Sequence, residues 1–185
     1  MRAGEILIAV EAQLRRDHRR CPTVYKREWS IGVGETRIDL AAINGSFVGC
    51  EIKSGRDNFG RLPYQVRLYS EVLDIAVLVV EGTMAAARAE PLLPMWWGIW
   101  RARETPSGAA LDVLRAGQRN PEPQPLAIAK LLWRDEAYSV LQRRGLSDGL
   151  RKATRWRLWE TLAAEVPLAS LQWEVRETIK ARPER

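Results

Sequence analysis

Histidine and cysteine are nearly missing: His18, Cys21 and Cys50 are the whole supply in 185 residues. One histidine excludes the common histidine-rich metal sites and the triads that activate a nucleophile through imidazole. Two cysteines so placed make neither a disulfide framework nor a zinc site. Cys50, inside a strand-like run, reads as a small buried hydrophobe. No apolar run approaches the length of a membrane span. The opening residues carry Glu5 and Glu11 and lack an apolar stretch long enough for a signal peptide, so a cytoplasmic protein with no membrane partner is expected. There is no glycine-rich P-loop motif for a nucleotide-driven motor, and no internal repeat.

What is plentiful is positive charge. The formal net charge is +6 and the isoelectric point is about 9.7, a balance that favours polyanionic partners. The length suffices for one sizeable domain, or for one domain with an appendage.

Periodicity gives an order of elements. Residues 4–17 read as a helix with Leu7, Val10 and Leu14 on one face, and 23–33 as a first strand ended by Gly32-Val33-Gly34. Two further strands, 37–43 and 47–53, flank Asn44-Gly45. A helix with Leu62, Val66, Tyr69 and Leu73 on its apolar stripe follows, with Pro63 in its first turn. Residues 75–80 are continuously apolar, as in a strand buried on both faces. The order is α-β-β-β-α-β. Beyond it, 84–90 reads as a short helix, 96–103 and 110–114 as a hairpin, and 126–144, 148–165 and 168–182 as helices. The Pro-rich stretch 120–125 is a stiff connector. It divides a core with an added hairpin, 1–120, from a helical extension, 121–185, and leaves open whether that extension packs back on the core.

The densest chemistry lies at Glu51-Ile52-Lys53. Strand side chains alternate, so Glu51 and Lys53 share one face and Ile52 points to the other. An acid and a lysine on one strand, with a second acid on the next, can hold a divalent cation and a polarised water, a combination suited to phosphodiester cleavage. Asp39 is that second acid if the hairpin register allows it. A two-residue turn at Asn44-Gly45 would pair Asp39 with Cys50 and separate the acids. A three-residue loop, Asn44-Gly45-Ser46, would pair Ile43 with Phe47 and Asp39 with Glu51. The three-residue loop is expected because the alternative separates the two acids and leaves Glu51 and Lys53 without a partner; Gly45 or Asn44 could supply the left-handed residue it commonly needs.

These residues carry a resemblance. Asp39, then Glu51-Ile52-Lys53, then Gln65-Val66-Arg67-Leu68-Tyr69 resemble the PD-(D/E)XK nuclease superfamily, whose fold is restriction-endonuclease-like. Gln65 and Tyr69 are similar to the helix motif that follows the E-x-K strand in RecB-type nucleases. The run from Gly49 to Asp57 with Arg61–Gln65, and further likeness through Trp97-Gly98 and Leu132–Glu136, resembles a little-characterised group of small bacterial and phage members. Ile38 stands where the family name would place proline.

The resemblance implies an α/β fold, with a mixed central sheet flanked by helices, and an Mg²⁺-dependent nuclease in which Mn²⁺ substitutes. Asp39, Glu51 and the Ile52 carbonyl would hold the metal, and Lys53 and Gln65 would complete the catalytic set. Arg56, Arg61 and Tyr69 would touch nucleic acid, expected to be DNA, with support of Gln65 or a place in the core left open for Tyr69. An extra acid on the first helix is usual in the family; Glu5 is preferred, with Glu11 and, on the first strand, Glu28 left open. A homodimer or a partner protein would fit so small a nuclease. The competing expectation is a nucleic-acid-binding or partner-docking module that kept the fold and does not cut. The run Arg151-Lys152-Ala153-Thr154-Arg155-Trp156-Arg157 is the strongest basic-aromatic stretch; it reads equally well as a charged outer helix face.

Overall fold

β-branched and other apolar residues fill the centre of the chain's sheet. In the computed structural model, which describes residues 1–55, 57–106 and 108–183, the strands are β1 (Val24–Ile31), β2 (Thr36–Ile43), β3 (Phe47–Lys53), β4 (Ile75–Glu81), β5 (Gly98–Thr105) and β6 (Gly108–Arg115). They form one six-stranded sheet in the order β1-β2-β3-β4-β5-β6. β1, β2 and β3 run antiparallel to one another. β3, β4 and β5 are parallel, and β6 returns antiparallel to β5. The two parallel junctions require crossovers, which α2 (Leu62–Val72) and α3 (Thr83–Ala89) supply. The protein is thus α/β, an open mixed sheet flanked by helices.

The first helix, α1 (Ala3–Asp17), buries Ile6, Val10 and Leu14. These meet Leu40, Ala42, Val48, Cys50, Ile52, Val77 and Val79 on one sheet face. The stripe is rotated one residue from the expected Leu7, Val10 and Leu14, so Leu7 lies on its flank. α2 packs on the other face. Tyr69 stacks on Trp97 at 5.8 Å between ring centroids, and Leu73 crowds Gly49 of β3 so closely that a Cβ there would lie 2.5 Å from Leu73 Cδ1. The α2–β4 junction is tied down by buried polar groups. The Asp74 carboxylate accepts the Phe47 N–H at 2.6 Å, and the Asn120 side-chain amide donates to the carbonyls of Ser70 and Leu73, capping helix carbonyls that would otherwise lack partners.

The β2–β3 loop has the expected three residues: Ile43 pairs with Phe47. It uses no left-handed residue, because neither Asn44 nor Gly45 has a positive φ. The Asn44 side-chain oxygen instead accepts the Ser46 N–H at 2.8 Å, so a side chain closes the turn.

The described chain divides into two compact units, Met1–Glu122 and Pro123–Arg185. The second is helical: α4 (Pro125–Ala129), α5 (Arg134–Arg143), α6 (Arg155–Glu165) and α7 (Leu168–Lys180). Two helices expected from the sequence are shorter or divided. Residues 126–144 break between α4 and α5, where Trp133 adopts an extended N-cap conformation. Residues 148–154 form turns, and Thr154 caps α6 through its side chain. Leu158, Leu162, Leu171, Val175 and Ile179 are buried in this unit.

Gly98 offers a direct test of the packing in the first unit. A Cβ at this position would lie 2.9 Å from the Gly117 backbone nitrogen and 3.1 Å from its Cα, backbone that cannot swing aside. Gly98→Ala is expected to cost roughly 1–3 kcal/mol in urea unfolding. Gly45→Ala, whose Cβ meets open space, should stay within about 0.5 kcal/mol of the parent.

Candidate active site

Glu51 is a carboxylate buried to 2 % exposure in the middle of the sheet. Burial of a charge is costly unless it is paired and hydrogen-bonded, and Glu51 has three partners. Lys53, two residues along the strand on the same face, brings its Nζ to 2.6 Å from Glu51 Oε1. Gln65 donates from Nε2 to the same oxygen at 2.6 Å. The Tyr69 hydroxyl lies 2.5 Å from Oε2 and 2.6 Å from the Arg37 carbonyl oxygen, so its single proton is shared between two acceptors. Gln65 and Tyr69 are one helical turn apart, so α2 presents both to the sheet side by side. Lys53 also donates to Gln65 Oε1 at 3.0 Å. Glu51, Lys53 and Gln65 therefore close a ring of three polar side chains.

Asp39 reaches the same place differently. The β2–β3 pairing ends at Leu40 and Cys50. Asp39 turns its carboxylate to accept the Ile52 N–H at 2.7 Å. Burial first, and then the neighbouring Glu51 carboxylate, push the Asp39 carboxyl up to about 7, against the pull of the Ile52 N–H; Glu28 raises it further. Glu28 comes close because β1 pairs with β2 through Arg27–Leu40 and Trp29–Ile38, which sets it opposite Asp39. Its backbone φ is +49°, an uncommon conformation for a residue other than glycine.

Glu28, Asp39, Glu51, Ile52, Lys53 and Gln65 line an open cleft of about 560 Å³, together with Ala3, Gly4 and Leu7 of α1 and Asp57, Asn58 and Arg61 before α2. Among the described residues its acids, Glu28, Asp39, Glu51 and Asp57, outnumber its bases, Lys53 and Arg61. Asp57 holds the loop after β3 by accepting from the Ser54 N–H and hydroxyl. The sequence reading missed Asp57 and Asn58, although the Ser54-Gly55 and Asp57-Asn58 turn residues were a usable signal.

The structure brings Asp39, Glu51, Ile52, Lys53, Gln65 and Arg61 to one cleft and places Glu5 and Tyr69 outside its lining. Glu5 does not line it. Its carboxylate accepts the Arg2 N–H at 2.7 Å and closes the start of α1, on the flank of the helix away from Ala3 and Leu7. Tyr69, expected to touch nucleic acid, is fully buried and holds Glu51 in place instead. Glu11 follows Ala3 and Leu7 on their flank, but Arg15 and Arg27 both bind it. Burial alone would raise its carboxyl; those two arginines hold it below the ordinary range. Arg56 lies outside the described residues. Burial pushes the Cys50 thiol up to about 12, so it stays protonated and inert.

A family model described as bacteriophage P4 protein cII matches residues 7–185. The chain belongs to the bacteriophage P4 cII family. No curated protein and no solved structure matches it. The span matched to P4 cII takes in Glu28, every cleft residue from Asp39 to Gln65 and the helical second unit, and leaves Glu5 outside.

Among the described residues no three His, Cys, Asp or Glu side chains form a ready-made cage. Two close carboxylates at an acid-rich cleft nevertheless suit a hard cation that keeps several waters. Asp39, raised in pKa by burial and by Glu51, gains most from a positive charge beside it.

The raised Asp39 pKa fixes a sign. Between about pH 4, where an unfolded aspartate ionises, and about pH 7, the folded chain holds a proton that the unfolded chain has released. Stability from this group is therefore full below that window and lost as pH rises through it. Without divalent cations, the wild-type unfolding free energy should fall from about pH 4 to about pH 7 relative to Asp39→Asn, by at most about 1.4 kcal/mol per pH unit. Parallel profiles would contradict the placement of Asp39.

Proposed function

We propose that the protein is a metal-dependent nuclease of the PD-(D/E)XK type that hydrolyses phosphodiester bonds, most naturally in DNA. The observation that carries this reading is the convergence of Asp39, Glu51, Lys53 and Gln65 on one open cleft. The element order from α1 to β4 supports the restriction-endonuclease-like topology, since α-β-β-β-α-β is what the resemblance implies.

Held by Asp39 and Glu51, with the Ile52 carbonyl as a further oxygen, a hard divalent cation such as Mg²⁺ would supply a polarised water and neutralise charge on the scissile phosphate. The all-oxygen donor set suits Mn²⁺ as well. The remaining work falls to the chain's own groups. Lys53 donates to Glu51 and Gln65 and keeps a third N–H to stabilise the negative charge that builds on the attacked phosphate. Gln65 grips both Glu51 and Lys53, fixing the distance between the acid and the ammonium. Tyr69 holds the far Glu51 oxygen from within the core. Arg61, exposed at the cleft wall, would meet a neighbouring phosphate. The acid excess of the cleft also bears on the substrate: a polyanion enters an acidic cleft readily only with cations beside it.

A non-catalytic module on the same fold remains the second reading, favoured by one observation. Both Glu51 oxygens are already engaged by side chains of the protein itself.

Cleavage of labelled single-stranded, duplex and branched DNA with Mg²⁺ or Mn²⁺ separates the two. Glu51→Ala and Lys53→Ala should each lower cleavage by about 100-fold or more. Glu5→Ala, which removes only a helix cap, should cut at the parent rate and cost about 1 kcal/mol of stability. Wild-type protein that cuts nothing, or cutting that survives Glu51→Ala, would overturn the nuclease reading.

A further inference from the structure

We infer that the helical second unit carries its own binding face for a nucleic-acid strand with unstacked bases, built on Trp156 and the basic residues around it. This goes beyond the nuclease reading and does not depend on it. From Arg151 to Trp159 the sequence has four basic residues and no acid. Arg151, Lys152, Arg155 and Arg157 are all exposed. Other arginines of this unit are spent on carboxylates: Arg143 and Arg144 on Glu174, and Arg182 on Glu136. Among the described residues, none of the four exposed bases is within ion-pair range of an acid.

Their position is not explained by helix stability. Arg155 and Arg157 occupy the first turn of α6, which has no acidic residue. A cation there opposes the helix dipole. The preceding loop is held in shape by Arg134, whose Nη2 donates to the Arg151 carbonyl at 2.6 Å and to that of Ala153 at 3.3 Å. The bases are therefore presented on fixed backbone.

Trp156 sits in their midst with 47 % of its surface exposed. Its ring rests against Trp159 at 5.2 Å, edge to face, and Trp159 is buried and anchored by its indole N–H to the Leu132 carbonyl at 3.0 Å. Lys130 Nζ lies 5.1 Å from the Trp156 ring centre, and Arg155 lies within 6.0 Å. A half-exposed indole braced from behind and ringed by unpaired cations matches the two needs of a strand: a surface on which a base stacks, and charges for the flanking phosphates. A duplex would offer the phosphates but no free base face. An acidic protein would use the charges and leave the ring without a role.

The test uses the full chain carrying Glu51→Ala, in EDTA, so that cleavage cannot intervene. Fluorescence anisotropy follows binding of labelled oligothymidylate and of a labelled duplex. Trp156→Ala should weaken oligothymidylate binding by about tenfold or more while changing duplex binding little, and Trp156→Phe should retain most of the affinity. Replacing Arg151 and Arg157 together by serine should lower the slope of log affinity against log salt by about 1.4. Melting curves matching the parent's would show that the variants fold. The inference is overturned if the parent does not bind oligothymidylate, if these variants bind as the parent does, or if affinity is lost with Arg61→Ala instead. A chain that binds this way but cuts no DNA would leave the inference standing and remove only the nuclease reading.

Discussion

The buried Glu51 carboxylate is the constraint around which the first unit is arranged. A charge at the centre of a sheet between two layers of apolar side chains would be ruinous alone. Its solvation is replaced by Lys53 from its own strand and by Gln65 and Tyr69 from α2. Those bonds fix the rotation of α2 on its sheet face. The stacking of Tyr69 on Trp97 and the seating of Leu73 over Gly49 agree with that rotation. A core polar network of this kind is weak evidence of stabilisation, because apolar replacements often do as well. Its worth lies in specifying one geometry and in holding a charge where chemistry can use it.

The protein carries +6 overall, yet among the described residues acids outnumber bases around Asp39 and Glu51. Lys53 pairs directly with Glu51, whereas Asp39 has a backbone N–H and the more distant pull of Lys53 against burial and the repulsion of Glu51 and Glu28. A proton or a cation resolves that imbalance. A basic exterior with an acidic pocket is the arrangement expected where a polyanion is drawn to a site whose reacting centre needs a cation.

Much of this could be read from residues close in sequence. The apolar 75–80 run marked a central strand through local chemistry alone, whereas Asn44-Gly45-Ser46 left two β2–β3 registers open, and the observed one followed from requiring Asp39 and Glu51 to converge. The i, i+4 spacing of Gln65 and Tyr69 placed them on one helix face. What escaped the sequence depended on distant partners. The role of Glu5 turned on whether its carboxylate would cap its own helix. Glu28 reached Asp39 only through the β1–β2 pairing and an unusual backbone angle. Tyr69 became a support rather than a substrate contact because Trp97, nearly thirty residues on, covers it. In the second unit, the break around Trp133 lies in sequence with no proline or glycine, and helix-like periodicity ran through it; the break before Thr154 carries Gly149 at φ +72°, a local signal that the periodicity overrode.

The central claim is that Asp39 and Glu51 form a cation site. Titration of Mn²⁺ into the full chain at about pH 8, followed by the loss of the free-ion paramagnetic resonance signal, measures that site without requiring a substrate. The account predicts saturable binding that weakens sharply in Glu51→Gln and in Asp39→Asn, and that weakens in the wild type as pH falls below about 7, when a proton competes for Asp39. Mn²⁺ that stays free in the presence of excess wild-type protein, or binding that both variants retain, would contradict it.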